Sequence, residues 1–205
     1  MRTLRTLLVS FIVIVAGLLV LSAATNRFHA FTSATAERVV VRDNRPLVPA
    51  VELQAQTGTR INLANLRGQW LLVDFVYTRC TSYCAVLGAE YGELQRLLAR
   101  PLARHRVRLV SISFDPSQDT PAALTQYVAR YGSNAGSWLA ARPVTARGLR
   151  ELEHTFGVIV IPDGHGGFNH TAGMDMVDPE GRLVRVIGLG YSPAEVSRTV
   201  LKALQ

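Results

Sequence analysis

The sequence predicts an α/β domain, a layered sheet flanked by helices, carried behind an N-terminal apolar helix. Three observations lead there. Strand-type and helix-type hydrophobic periods alternate from Val48 onward. A hairpin signal and a capped terminal helix close the chain. Leu7–Ala24 is an unbroken run of 18 uncharged, mostly apolar residues. The length of 205 residues suits one sizeable domain plus a targeting segment, and a hydrophobic content of 48% supports a real core.

The apolar run comes first. At about 1.5 Å of rise per residue it reaches across most of a hydrocarbon core. Arg2 and Arg5 precede it with no acid, which keeps the N-terminus in the cytoplasm and sends the body of the protein across the membrane. Ser22-Ala23-Ala24 resembles a small-residue cleavage site, so a cleaved signal peptide competes with a retained anchor, which the length of the run favours. Residues 1–24 are therefore read as membrane anchor (or signal peptide), 25–47 as a polar spacer and 48–205 as the exported domain.

Within the domain, Trp70–Val76 is a buried-strand type of run, followed by a helix with Leu87, Tyr91, Leu94 and Leu98 on one face. Val110, Ile112 and Phe114 alternate with Ser111 and Ser113, as a strand should. Thr120-Pro121 opens a helix with Leu124, Val128 and Tyr131 inward. Trp138–Ala141 suits a short strand, and Leu149, Leu152 and Phe156 mark another helix. Strands at about 173–177 and 183–187 flank the turn Asp178-Pro179-Glu180-Gly181. Ser192-Pro193-Ala194-Glu195 is a capping box that starts the last helix.

The formal charge of +7 divides unevenly. Residues 1–45 hold six Arg against Glu37 and Asp43, and residues 46–205 hold sixteen Lys or Arg against thirteen acids. With no basic run interleaved with aromatics, nucleic acid is not an expected partner.

Cys80 and Cys84 are the only cysteines, in Cys80-Thr81-Ser82-Tyr83-Cys84 between a strand and a helix. There, free backbone N–H groups and the helix dipole favour thiolates. Four positions apart on a helical turn, the sulfurs can form a disulfide or clasp one metal ion. An exported setting allows a structural disulfide, but one closing so short a loop restrains the unfolded chain little. Two thiolates suit Cu(I), and a selective copper site needs a third donor.

Of the five histidines, His29 lies in the spacer, His105 in a basic loop and His154 on a helix. His165 and His170 lie in the Gly-rich segment 162–170, read as a loop joining two strands and bringing an imidazole towards a sheet edge. His170 is the candidate third donor and His165 a weaker one. Met174 and Met176 are possible thioether donors, with core packing the plainer explanation. Asp74, six positions before Cys80 in an otherwise apolar strand, is either a buried proton acceptor for a thiol or an edge residue facing solvent.

From Val51 to Leu204 the chain resembles the Sco/SenC family. The resemblance is carried by Tyr77-Thr78-Arg79-Cys80 with Cys84, the segment Ser113–Pro121, Phe156-Gly157-Val158, His170-Thr171 and Asp178-Pro179-Glu180-Gly181. It implies a thioredoxin-like fold with a central mixed sheet flanked by helices and a single N-terminal anchor. It also implies one copper ion, Cu(I) or Cu(II), held by Cys80, Cys84 and His170. The family delivers copper to the dinuclear copper site of cytochrome c oxidase. The expected partners are therefore the oxidase subunit carrying that site and a thiol reductase that keeps the cysteines reduced. The expected place is the inner membrane, with the domain on the periplasmic side. Three positions depart from the family pattern: Thr81 and Ala85 follow the cysteines where Pro is usual, and Asn169 precedes His170 where Asp is usual. Asp74 instead looks like thioredoxin.

Two readings follow. One is a copper metallochaperone, a binding protein. The other is an enzyme, an exported thiol-disulfide oxidoreductase using Cys80 and Cys84 with Asp74 as proton acceptor. No Pro lies between Phe168 and Val177, where thioredoxin-like oxidoreductases carry one, and His170 occupies that neighbourhood. The first reading is preferred.

Overall fold

The computed structural model describes residues 2–24, 41, 44–80, 83–132 and 136–205. Two compact units emerge, Met1–Asn44 and Arg45–Gln205. In the first, helix α1 (Arg2–Ala24) contains a stretch, Arg5–Ala23, long and apolar enough to cross a membrane. The predicted spacer and His29 lie mostly outside the described residues.

The second unit is built on a seven-stranded mixed sheet. Its strands are β1 (Glu52–Ala55), β2 (Arg60–Asn62), β3 (Trp70–Val76), β4 (Val107–Ser113), β5 (Trp138–Pro143), β8 (Gly173–Val177) and β9 (Leu183–Gly188), in the order β2-β1-β5-β4-β3-β8-β9. β3, β4 and β5 run parallel, and β8 returns antiparallel beside β3. A separate hairpin pairs β6 (Val160–Pro162) with β7 (Phe168–His170). The helices are α2 (Tyr83–Leu97), α3 (Ala99–Ala103), α4 (Pro121–Arg130), α5 (Ala146–Phe156) and α6 (Pro193–Ala203).

Sequence and packing agree element by element. Leu87, Tyr91 and Leu94 turn the buried side of α2 onto the sheet, where the Tyr91 hydroxyl donates to the Leu72 carbonyl (3.1 Å). Tyr91 and the α4 residue Tyr127 both pack their rings on Trp138, so α2 and α4 share one face. Phe156 of α5 meets Phe75, which points to the opposite face from Asp74. The Tyr131 ring lies directly over Gly88, where a Cβ would collide, and that absent Cβ lets α4 close onto α2. Caps stand where expected: Thr120 on α4, and Ser192 with Glu195 as a full capping box on α6.

Ser111 and Ser113 are both fully buried, because β4 lies at the centre of the sheet with helices on both faces. Their hydroxyls are paired. Ser111 accepts the Trp138 indole N–H (2.9 Å) and Ser113 donates to Asp119 (2.6 Å).

Candidate metal centre

β3 ends at Val76, and the next four residues turn away from the sheet to place Cys80. This turn is pinned by a buried carboxylate. Asp119 accepts the Thr78 hydroxyl (2.6 Å), the Thr78 amide (3.1 Å) and the Ser113 hydroxyl. Burial pushes the Asp119 carboxyl above its ordinary value, and the Ser113 and Thr78 donors oppose that. Beside it, the half-exposed Arg79 guanidinium reaches Asp115 (2.9 Å).

Cys84 follows in the first turn of α2 and is wholly buried, as Cys80 nearly is. Residues 81 and 82 lie outside the described residues. The Cys84 amide donates to Cys80 Sγ (3.4 Å), and the Tyr127 hydroxyl donates to the Cys84 carbonyl (3.2 Å). Both cysteines are present as thiols rather than as a disulfide.

His170 is half-buried on β7 of the small hairpin, not in a loop as the glycines suggested. The Gly-rich stretch is the hairpin tip, where Asp163 Oδ1 accepts the His165 and Gly167 amides (2.7 and 2.9 Å). The Nδ1 of His170 lies 2.8 Å from the Thr171 carbonyl. A carbonyl only accepts, so Nδ1 carries the proton and Nε2 keeps its lone pair. That Nε2 points at Cys84 Sγ, 3.5 Å away.

Aromatic rings wall the imidazole. Phe114 lies 4.8 Å from it by ring centroid and Tyr77 lies 6.2 Å away, while Phe168 packs on both. The Tyr77 ring meets Phe168 edge-on (5.3 Å by centroid) and its hydroxyl lies beside Gly167, which couples the hairpin to the turn that carries Cys80.

Two sulfurs and one imidazole nitrogen, all within 4.8 Å of one another, therefore face a common point. Softness of the sulfurs and a single imidazole make this a donor set for a soft or borderline cation such as copper. Electrostatics favour a neutral cluster. Burial lowers the His170 imidazole, so it stays unprotonated and ready to ligate. Burial also pushes the Cys84 thiol up, against the thiolate-favouring effect expected of the helix N-terminus. Desolvation outweighs the dipole there, and a cation has to displace the proton.

Asp74 is fully buried on β3, which removes the solvent-facing reading. Burial pushes its carboxyl from 3.8 up to about 7, moderated by the nearby Ser111 and Tyr91 hydroxyls. Neither carboxylate oxygen has a hydrogen-bond partner within bonding distance.

The remaining candidates stand apart. His165 is exposed at the hairpin tip, His105 is exposed in the loop before β4, and His154 is exposed on α5. Met174 and Met176 are buried in β8, in register with Ile187 and Leu72, as core residues. Sequence reasoning missed the wall of Tyr77, Phe114 and Phe168 and the Asp119 hub. All but Phe168 sit in segments quoted above for the family likeness, and their residue types were the available signal.

Known proteins are similar to this chain in sequence and fold. The SCO1 protein homolog of Bacillus subtilis is 27% identical over 134 residues, covering 64% of this chain and 68% of that protein. The structure of Bradyrhizobium japonicum ScoI with copper bound superposes with a TM-score of 0.66 at 24% identity, over 77% of this chain and 99% of that one. The structure of BsSco, a member of the Sco family of cytochrome c oxidase assembly proteins in which a disulfide switch was identified, gives a TM-score of 0.67 at 25% identity, over 78% and 94%. These likenesses bear out the thioredoxin-like fold with its mixed central sheet. The SCO1/SenC family model matches residues 41–205, most of the chain, and the chain therefore belongs to the SCO1/SenC family.

Proposed function

We propose that this chain is a membrane-anchored metallochaperone that holds one copper ion through Cys80, Cys84 and His170 and delivers it to the dinuclear copper site of cytochrome c oxidase. The observation that carries this reading is the convergence of the three donor atoms within 4.8 Å, from segments far apart in the chain. The family membership supports it, as does copper bound in the Bradyrhizobium relative. On this reading helix α1 stays in the inner membrane and the domain works on the periplasmic side. A thiol reductase keeps both cysteines reduced, and copper leaves by stepwise exchange onto a docked oxidase subunit.

The direct test is a Cu(I) titration of the reduced protein against a competing chelator, repeated on Cys80→Ser. A stoichiometry of one that disappears in the variant is expected. Undiminished binding by Cys80→Ser sinks the ligand assignment.

One observation favours a second reading, thiol-disulfide reduction. Asp74 is a buried carboxylate without a hydrogen-bond partner that interacts electrostatically with the Cys84 thiol, and it is suited to accept a thiol proton. Reduction of insulin disulfides by the metal-free protein, together with negligible copper affinity, would reverse the ranking.

A further inference from the structure

The end of the sheet remote from the cysteines has a chemistry of its own. Cys80 follows the last residue of β3, whereas the loops entering β3 and β4, the β8–β9 turn and the last turn of α6 meet at the other end. Seven strand residues hold the two ends about 20 Å apart at about 3.3 Å each.

Arg45, Arg67, Arg106, Arg182, Arg185 and Lys202 gather at that remote end, all exposed. The contacts there make one patch of them. Arg182 donates to the Arg45 carbonyl (3.3 Å), the Arg67 side chain lies against Gly181, and Arg106 donates to the Leu204 carbonyl (2.7 Å) two residues from Lys202. Arg45, Arg185 and Lys202 line one cleft with Trp70, Asp178 and Glu180. Those two acids stand against six cations, and none of the six forms a salt bridge with a described residue. Exposed Leu47 and Leu201 stand among the charges.

The chain also enters the domain here. Arg45 opens the compact unit, and residues 25–44 link it to α1. Twenty residues span at most about 70 Å in any conformation, so a membrane that held α1 would lie within that reach of Arg45.

We propose that this basic end docks on anionic phospholipid headgroups and stands the Cys80–Cys84–His170 end away from the bilayer. Arginine forks match phosphate geometry, and the two exposed leucines suit the interface between headgroups and acyl chains. The inference rests on the anchored reading given above, but not on copper.

The test uses the full chain in nanodiscs of phosphatidylcholine alone or mixed with phosphatidylglycerol, read by amide hydrogen exchange. Amides of 104–106 and 180–184 are expected to exchange several-fold more slowly in the anionic discs and to lose that protection at high salt. Those of 163–167 should not change. The variant R106Q/R182Q/R185Q/K202Q should lose the lipid-dependent protection while binding copper as before. If that variant misfolds by circular dichroism, R185Q/K202Q should lose part of the protection. Equal exchange in both discs, or protection at the hairpin end instead, overturns the proposal. Recovery of a mature chain lacking residues 1–24 also overturns it, by removing the tether. Loss of copper binding with the lipid effect intact would sink the copper reading alone.

Discussion

The cysteines and the histidine are held by regions built on different principles. Cys80 and Cys84 sit where a fully buried central strand passes into α2, and neighbours on three elements fix their backbone: Asp119 through Thr78, Tyr127 through the Cys84 carbonyl, and the Asp74 strand behind them. His170 sits on a two-stranded hairpin outside the main sheet, whose exposed faces include Ile159 and Ile161. Its position depends on a ring wall, one carbonyl contact and the Tyr77 hydroxyl beside Gly167. The contrast separates two tasks. The sheet core holds the two sulfurs through buried neighbours on several segments, and a more lightly supported arm supplies the nitrogen.

Four measurements press on that contrast. The largest effect is expected at the ligands. Cys84→Ser should lower copper affinity by more than about 100-fold, and His170→Ala by at least about 10- to 100-fold, the loss known for even the outer partners of metal sites. Both are read by chelator competition. Retention of full affinity by His170→Ala would take the hairpin out of the site.

Next comes Asp74→Asn. The folded carboxyl titrates near 7 against an ordinary 3.8, so the folded state holds its proton more tightly. Stability is then lost as pH rises from about 4 to about 7 and stays lost above. The neutral variant should therefore gain on the order of a few kcal/mol at pH 8 and almost nothing at pH 4. Denaturant midpoints at the two pH values measure this, and an equal shift at both would mean the charge is not the cause.

Thr78→Val attacks the cysteine side without touching a ligand. It leaves the buried Asp119 short of one donor, for about 1–3 kcal/mol of global stability. Phe168→Ala attacks the hairpin side. Here the expected signature is a loss of copper affinity of about 10-fold with little change in the unfolding midpoint. A large stability loss from Phe168→Ala would show that the hairpin belongs to the core after all.

What could be read from the sequence follows the same division. β3, α2, α4 and α6 announce themselves because long apolar periods and caps are local properties of the chain. Cys80 and Cys84 were legible through their place at a strand-to-helix junction. β6 and β7 were not, since three residues cannot display a period and the Gly-rich tip reads as loop. The burial of Ser111 and Ser113 was not legible, because the neighbours that bury β4 arrive from distant segments. The burial of Asp74 is of the same kind. His170 emerged from its Gly-rich context and then from the family likeness, and the direction of its nitrogen was visible only once the Thr171 carbonyl was placed.

The separation of 86 residues between Cys84 and His170 has a consequence for biogenesis. On the proposed reading, a nascent chain that has just emitted its two thiols owns two of the three donors, vulnerable to oxidation and to stray metals, until β4, β5 and the hairpin have followed and folded. Loading would then follow folding, and whatever guards the thiols would act earlier than whatever supplies the ion.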